Sequence, residues 1–447
     1  MHIPDGFLAP QTYLPAFGLA AAAWAWAGRG LRDRLDEELV PRLAAMTALA
    51  YGLGLMMVPI PGGTSGHVLG VAMLALLFGV RLAFLAYSLV LLMQALLFGA
   101  GGITALPVNA LGLGLLGAAS AAAVFRALRG LHETAAVALA AWVSVVLPAI
   151  MVALVLGAQP LIAVGEDGSP LFFPFGPGIT LPAVVLPHLA IALGEAMLTV
   201  LVWRFAQTRR WRLPAAKSSG GRGFAPGWRD SAARKPRLAL LAYLAAVLAV
   251  SLLQQPWLLA SLLMLVLVAS GSKRWILLRR ACLGVLTFNL VVSVGYLVLA
   301  FSQDHFSVRY LLLINLRVLL LVFLGFWFVA RVNLLEAASF SPTLRLVLSL
   351  AAGQVQVFTR LVADFGLALR SRSIGEPAFT DRTRHAAAQA QHLLDKSVAM
   401  ANEAAQAMRS RGAFAEGATT LAAPETPRAA SWRAVRVPRR RFGVLRR

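Results

Sequence analysis

Long apolar runs recur along most of the chain, at about 12–27, 42–59, 67–80, 82–99, 108–125, 135–157 and 181–203, and again at about 238–254, 256–271, 281–302 and 310–331. A helix needs about 20 mainly apolar residues to cross a bilayer core of about 30 Å, and these runs approach that length. They lack the strict alternation of barrel strands. The pattern predicts an all-α polytopic membrane protein with about seven transmembrane helices followed by about four more. Basic residues sit at every second connection. Arg29, Arg32, Arg34 and Arg42 mark the first, Arg81 the next, then Arg126 with Arg129, then Arg204, Arg209, Arg210 and Arg212. The alternate connections, PIPGGTSG, GAGGITALP and GAQPLIAVGEDGSPLFFPFGPG, have no Lys or Arg. The positive-inside bias therefore puts the N-terminus outside and the end of the seventh span inside.

Two polar segments interrupt this pattern. Residues 207–236 are rich in Gly, Ser, Pro and Arg and read as a cytoplasmic linker between residues 1–206 and 237–415. After residue 332 the apolar pattern is broken by polar positions. Ser341–Pro342 supplies a helix start, and two amphipathic cytoplasmic helices are expected, over about 341–372 and 379–411. They close in near-identical words, ALRSRS and AMRSRG. Residues 416–447 form a basic tail, expected to be mobile.

Composition sharpens the class. The chain is 59% hydrophobic and 13% charged, against about a quarter charged in soluble domains. Its net charge of +22 lies mostly in short loops and the C-terminal part, which fits membrane topology and anionic lipid rather than nucleic acid. Cys282 is the sole cysteine, which excludes internal disulfides and cysteine zinc sites. The N-terminus lacks the layout of a cleavable signal, so Met1 is expected to stay. No GxxxxGK[ST] occurs, so ATP must be used by another subunit if it is used at all. GLGLLG at 112–117 lies inside a span and suits close helix packing rather than a dinucleotide. HETAA at 132–136 lacks the second histidine of a zinc-protease helix.

The opening MHIPDGFL carries distinctive chemistry. The Met1 amine, the His2 amide nitrogen and the His2 imidazole Nδ1 can close two adjacent chelate rings on one metal. A fourth nitrogen would complete a plane, the geometry that suits Ni(II) or Cu(II). His67, in PIPGGTSGHVLG, lies at a connection on the same face as the N-terminus. Asp5 is expected to fasten the N-terminal segment by accepting backbone hydrogen bonds. Asn109 reads either as an amide orienting a ligand imidazole or as a helix cap. His188 and Glu195, seven residues apart on one helical face, read as a hydrogen-bonding or gating pair, a helix-packing pair or ligands.

MHIPDGFL followed by GGTSGHVLG resembles the M-type substrate-binding component of the cobalt/nickel transporters of the energy-coupling factor class, over about residues 1–210. The resemblance implies that the N-terminal segment folds back into the protein. It implies ligation of Co(II) or Ni(II), as substrate and not as cofactor, by Met1, His2 and His67, with Asp5, Ser65, Asn109, His188 and Glu195 in support or gating. Residues 235–415 resemble the transmembrane coupling component of that class, called Q-type. Arg370, Ser371 and Arg372, and Arg409, Ser410, Arg411 and Gly412, match its coupling motifs, which implies docking on two cytoplasmic ATP-binding-cassette subunits. The resemblance further implies a bacterial cytoplasmic (inner) membrane location and a two-span accessory protein in some assemblies. The rival expectation is an ATP-independent metal carrier or channel, for which the repeated arginine motif has no use.

Overall fold

The computed structural model describes residues 1–31, 35–36, 38–54, 58–60, 64–166, 168–208, 236–302, 306–337 and 401–410, with a few single positions between 349 and 399. The first half contains α1 (Pro10–Gly28), α2 (Leu39–Gly54), a hairpin of β1 (Val58–Ile60) and β2 (Thr64–Gly66), α3 (Val71–Phe78) and α4 (Val80–Phe98). Next come α5 (Leu106–Asn109), a π-helical stretch (Ala110–Leu116), α6 (Gly117–Leu128), α7 (Glu133–Gly157), α8 (Gln159–Ile162) and α9 (Pro177–Thr208). The second half contains α10 (Pro236–Leu252), α11 (Pro256–Ala269), α12 (Arg274–Ser302), α13 (Val308–Arg331) and α14 (Leu334–Ala337). The protein is an all-α polytopic membrane protein, and the one small sheet among the described residues is confined to a connection.

Among the described residues, five helical segments are long and apolar enough to cross a membrane: Val80–Phe98, Leu106–Leu128, Glu133–Ile162, Pro177–Thr208 and Val308–Arg331. A sixth arises if Pro256–Ala269 and Gly271–Leu286, bent by 117°, count as one span. Leu39–Gly54, Pro236–Leu252 and Phe288–Phe301 are apolar but shorter. The largest departure from expectation is at 67–80. There α3 has only 8 residues, about 12 Å of helix, well short of a bilayer core. Residues 67–70 remain non-helical, with His67, Leu69 and Gly70 buried.

Proline inside a membrane helix is tolerated when neighbours satisfy the freed carbonyls. Pro148 in α7 and Pro182 and Pro187 in α9 fit this rule, because α7 and α9 pack along each other's length. The two halves meet where α13 packs on α4. The Tyr13 and Ser251 hydroxyls, from α1 and α10, are 2.5 Å apart across the same boundary. GLGLLG coincides with the π-helical turn, where Gly117 lets α6 approach the Ser144 carbonyl of α7. His132 caps α7, its Nδ1 accepting from the Ala135 amide at 3.1 Å.

The linker at 209–235, most of the two amphipathic helices and the tail lie outside the described residues. So do Arg370, Arg372, Arg411 and Gly412. Ser371 is exposed, and Arg409 and Ser410 end the described helical stretch 401–410. Arg409 forms an ion pair with Glu38, in the connection between α1 and α2.

Candidate metal centre

Residues 1–9 form no helix or strand, yet all nine are buried. A buried irregular backbone must find partners for its amides and carbonyls, and here they come from distant parts of the chain. The Ile3 amide donates to Asn109 Oδ1 at 3.0 Å, and Asn109 Nδ2 donates back to the Ile3 carbonyl at 3.1 Å. Asp5 accepts from the Ile103 amide at 2.9 Å, the Thr104 amide at 2.8 Å and the Thr104 hydroxyl at 2.6 Å. The Phe173 amide donates to the Phe7 carbonyl at 3.2 Å, and the Ala9 amide to Gln159 Oε1 at 2.8 Å. Gly102 makes the fit possible, because a Cβ there would lie 2.3 Å from the Asp5 carboxyl. Asn109 thus grips the backbone beside His2. Both of these side-chain hydrogen bonds go to the Ile3 backbone, and none caps α5.

This tethering brings the first two residues against the connection that follows β2. The Met1 amine donates to the Ser65 carbonyl. His2 Nδ1 and His67 Nε2 stand 3.1 Å apart, the two rings stacked at 4.5 Å between centroids. Adjacent nitrogens on a square-planar metal, each at about 2.0–2.1 Å, would be about 2.8–3.0 Å apart, so the pair is spaced as neighbouring ligands. His67 Nδ1 lies 3.0 Å from the Val68 carbonyl. A carbonyl can only accept, so the His67 proton sits on Nδ1 and the Nε2 lone pair faces His2.

The electrostatics suit a cation. Burial pushes the Met1 amine down to about 4, so its lone pair is available at neutral pH. Burial holds His2 and His67 well below the ordinary histidine value. Among the described residues no three His, Cys, Asp or Glu side chains converge as a metal group. The two imidazoles need the amine and backbone nitrogen to complete a donor set.

The remaining expected residues serve the connection around His67. Glu195, wholly buried on α9, accepts from the Leu69 amide at 2.7 Å and from the Gly70 amide at 2.8 Å. These amides open α3, so the carboxylate binds the positive helix end and fixes the backbone just after His67. His188 bonds its own helix, Nδ1 to the Val184 carbonyl at 2.6 Å, and lies beside Ser65 and His67 without entering the pair. Ser65 contributes its carbonyl to the Met1 amine.

Sequence reasoning passed over three buried polar residues here. Gln159 holds Ala9 and Thr12. Gln94 lies against Gly54, where a Cβ would stand 2.3 Å from its Nε2. Arg317, wholly buried on α13, donates to the Leu171 carbonyl at 2.8 Å and the Leu253 carbonyl at 3.0 Å, with its guanidinium 4.4 Å from the Phe172 ring centre. The available signal for Gln94 and Arg317 was a lone polar residue inside an apolar run.

Known proteins align with the same half. Residues 2–213 match the family CbiM, described as the cobalt uptake substrate-specific transmembrane region. The fused protein LarMN of Lactiplantibacillus plantarum is 34% identical over 226 residues, covering 49% of this chain and 69% of its own. The fused nickel transport protein NikMN of Rhodobacter capsulatus is 35% identical over 198 residues, and the match spans 43% of this chain but only 57% of NikMN. The cobalt transport protein CbiM of Anoxybacillus flavithermus is 32% identical over 220 residues, covering 46% of this chain and 82% of its own. Buried Met1, His2 and His67 and this shared half lead to one conclusion: the chain belongs, through its first 213 residues, to the CbiM family of cobalt uptake transmembrane regions.

Proposed function

We propose that the chain is the fused membrane subunit of an ATP-driven importer for Co(II) or Ni(II). The observation that carries this reading is the buried pair His2 Nδ1 and His67 Nε2, 3.1 Å apart beside the Met1 amine. Four nitrogens in a plane favour Ni(II) or Cu(II), and among the described residues no group of carboxylates gathers there to suit Ca(II) or Mg(II). Metal entering from outside takes the neutral amine without displacing a proton there. The His2 amide releases its proton to solvent as the metal binds, and His67 keeps its Nδ1 proton on the Val68 carbonyl. Asn109 and Asp5 hold the N-terminal segment in place for this, and Glu195 holds the His67 side. The names of the relatives, nickel transport for NikMN and cobalt transport for CbiM, support the substrate class.

In this reading residues 237–415 couple the metal-binding half to two separate ATP-binding-cassette subunits. Arg370, Ser371 and Arg372 dock one subunit, and Arg409, Ser410, Arg411 and Gly412 dock the other. Arginine suits such sockets because its planar, permanently charged fork engages carboxylates and carbonyls. The membrane is the bacterial inner membrane, with the N-terminus outside and the linker and C-terminus in the cytoplasm. A two-span accessory protein belongs to the assembly if transport by chain and ATPases alone proves incomplete.

The test uses the full chain with an unmodified N-terminus. Purified protein is titrated with Ni(II) and Co(II), and uptake is measured in vesicles with and without the ATPase subunits and ATP. We expect His2→Ala and His67→Ala to abolish binding, and uptake to require ATP. Normal binding by either variant overturns the site. Uptake without ATPase overturns the coupling and favours a carrier.

A further inference from the structure

We propose that the groove between α10 and α13 binds one anionic phospholipid, with an acyl chain in the groove and the phosphate at Arg331. The groove is a cavity of about 270 Å³. Ala239, Ala242 and Ala246 recur on one face of α10, and their methyl groups are too small to close the gap to α13. On α13 the groove runs from Leu324 to Arg331, about 10 Å of helix. Its floor is the Tyr243 ring stacked on Phe328, with 4.5 Å between centroids and 12° between planes. Gly325 admits that ring, because a Cβ there would lie 3.3 Å from the Tyr243 hydroxyl. Away from Arg331 the lining is almost wholly aliphatic and aromatic. An apolar gap of this kind takes hydrocarbon rather than water.

The charge lies at one end. Arg331 is exposed at the mouth, its guanidinium 4.9 Å from the Trp327 ring centre and donating to the Ala269 carbonyl at 2.8 Å. That bond brings the turn before α12, with exposed Lys273 and Arg274, to the same end. Exposed Arg237 stands just before Ala239, at the start of α10. Against these cations, Glu336 on α14 is the one acid among the described residues of α10 to α14. The Trp327 indole N–H, in the cavity wall, is buried and meets no acceptor among the described residues. An indole nitrogen can only donate, so it suits a phosphate or ester oxygen. Basic pockets between membrane spans hold anionic headgroups by this combination of charge and hydrocarbon. A zwitterionic lipid brings its own cation to the same cluster and is disfavoured there. A soluble anion lacks the chain that fills the groove. The positive-inside bias assigns this end to the inner leaflet.

The experiment uses the full chain in phosphatidylcholine vesicles, with brominated phosphatidylglycerol as the probe, since bromine quenches a tryptophan only at close range. Trp327 is one of ten tryptophans, so its signal is read as the difference between the wild type and Trp327→Phe. We expect that difference to saturate at a low mole fraction of the anionic lipid, whereas a tryptophan facing bulk lipid is quenched in proportion to it. Brominated phosphatidylcholine should give no saturating phase. Arg331→Gln should raise the mole fraction at half-saturation about fivefold, the weight of one basic residue at an anionic surface, with Arg331→Lys close to the wild type. Ala246→Leu fills the groove without changing a charge and should weaken the saturating phase too. Quenching of Trp327 in simple proportion to lipid content, or an equal response to both brominated lipids, overturns the inference in the wild-type groove itself. So does equal half-saturation in the wild type, Arg331→Gln and Ala246→Leu. Trp327 that no lipid quenches shows that another part of the chain covers the groove, and loss of the saturating phase to free glycerol phosphate shows an anion site without a chain; either result overturns the proposal.

Discussion

Asn109→Ala should release the N-terminal segment, and the size of the effect follows from two hydrogen bonds. Asn109 satisfies both the amide and the carbonyl of Ile3, at 3.0 and 3.1 Å, in a buried segment that has no secondary structure of its own. Truncation leaves two buried backbone groups unpaired, at about 1–3 kcal/mol each. Even the lower sum of about 2 kcal/mol shifts the ratio of undocked to docked segment about thirtyfold, since about 1.4 kcal/mol is a factor of ten. The Met1 amine reports this ratio directly. It is fully buried when docked and reacts with an acylating reagent only during opening, so its labelling rate scales with the open population. N-terminal peptide mass spectrometry separates it from the chain's lysines. We expect labelling of the metal-free variant to accelerate about thirtyfold or more. Asn109→Asp keeps the acceptor for the Ile3 amide and loses the donor to its carbonyl, so it should fall between. Apparent metal affinity drops only once the docked state ceases to dominate, because it scales with the competent fraction. Labelling of Asn109→Ala at the wild-type rate would refute the claim that this amide holds the segment.

Three further outcomes are expected. A short N-terminal extension should abolish Ni(II) binding in a titration without changing any side chain, because the Met1 amine is buried against the Ser65 carbonyl; full binding by an extended chain contradicts the donor set. Glu195→Leu should weaken Ni(II) binding about tenfold or more by freeing the Leu69 and Gly70 amides that follow His67, with Glu195→Gln milder because one amide oxygen still accepts; equal binding by Leu, Gln and wild type counts against it. Arg317→Met should lower the thermal midpoint in detergent, at a cost of about 1–3 kcal/mol for each carbonyl left unpaired at Leu171 and Leu253; an unchanged midpoint would show that neither carbonyl depends on it.

The helices were legible because their cause is local: an apolar run near bilayer length has few other solutions. Met1, His2 and His67 stood out as candidate donors for a related reason, since the donor chemistry of a terminal amine next to histidine does not depend on fold, and the structure brings the three together. What the sequence hid is long-range. Nothing in GGITALPVNALG says that Asn109 will pair with the backbone of Ile3, 106 residues away. The shortness of α3 was hidden as well, because residues 67–70 are apolar enough to continue a span, and only the Glu195 carboxylate at their amides shows where the helix begins. Gln94 was overlooked because a single carboxamide hardly alters the hydrophobicity of LVLLMQALLF, although its burial is what makes it informative.

Arg317 shows how the two halves share one structure beside the N-terminal segment. A buried guanidinium needs partners for its donors, and here two of them are carbonyls from different halves: Leu171, in the connection before α9, and Leu253, after α10. The neighbouring Tyr310 hydroxyl donates to the Phe172 carbonyl at 2.8 Å. Phe173, next in line, holds the Phe7 carbonyl through its amide, with the two rings 5.6 Å apart. Gly6 lies against Arg317 and Val318 themselves. The segment carrying Met1 and His2 is therefore covered by a connection that α13 grips from the other side. Packed interiors shift between discrete arrangements rather than deforming continuously. A displacement of α13 relative to α4 must then either carry residues 171–173 with it or break these bonds, and in both cases the cover over the N-terminal segment changes. This contact between the halves beside the N-terminal segment thus runs through backbone carbonyls of an irregular connection, which is why no pattern of side chains in the sequence announced it.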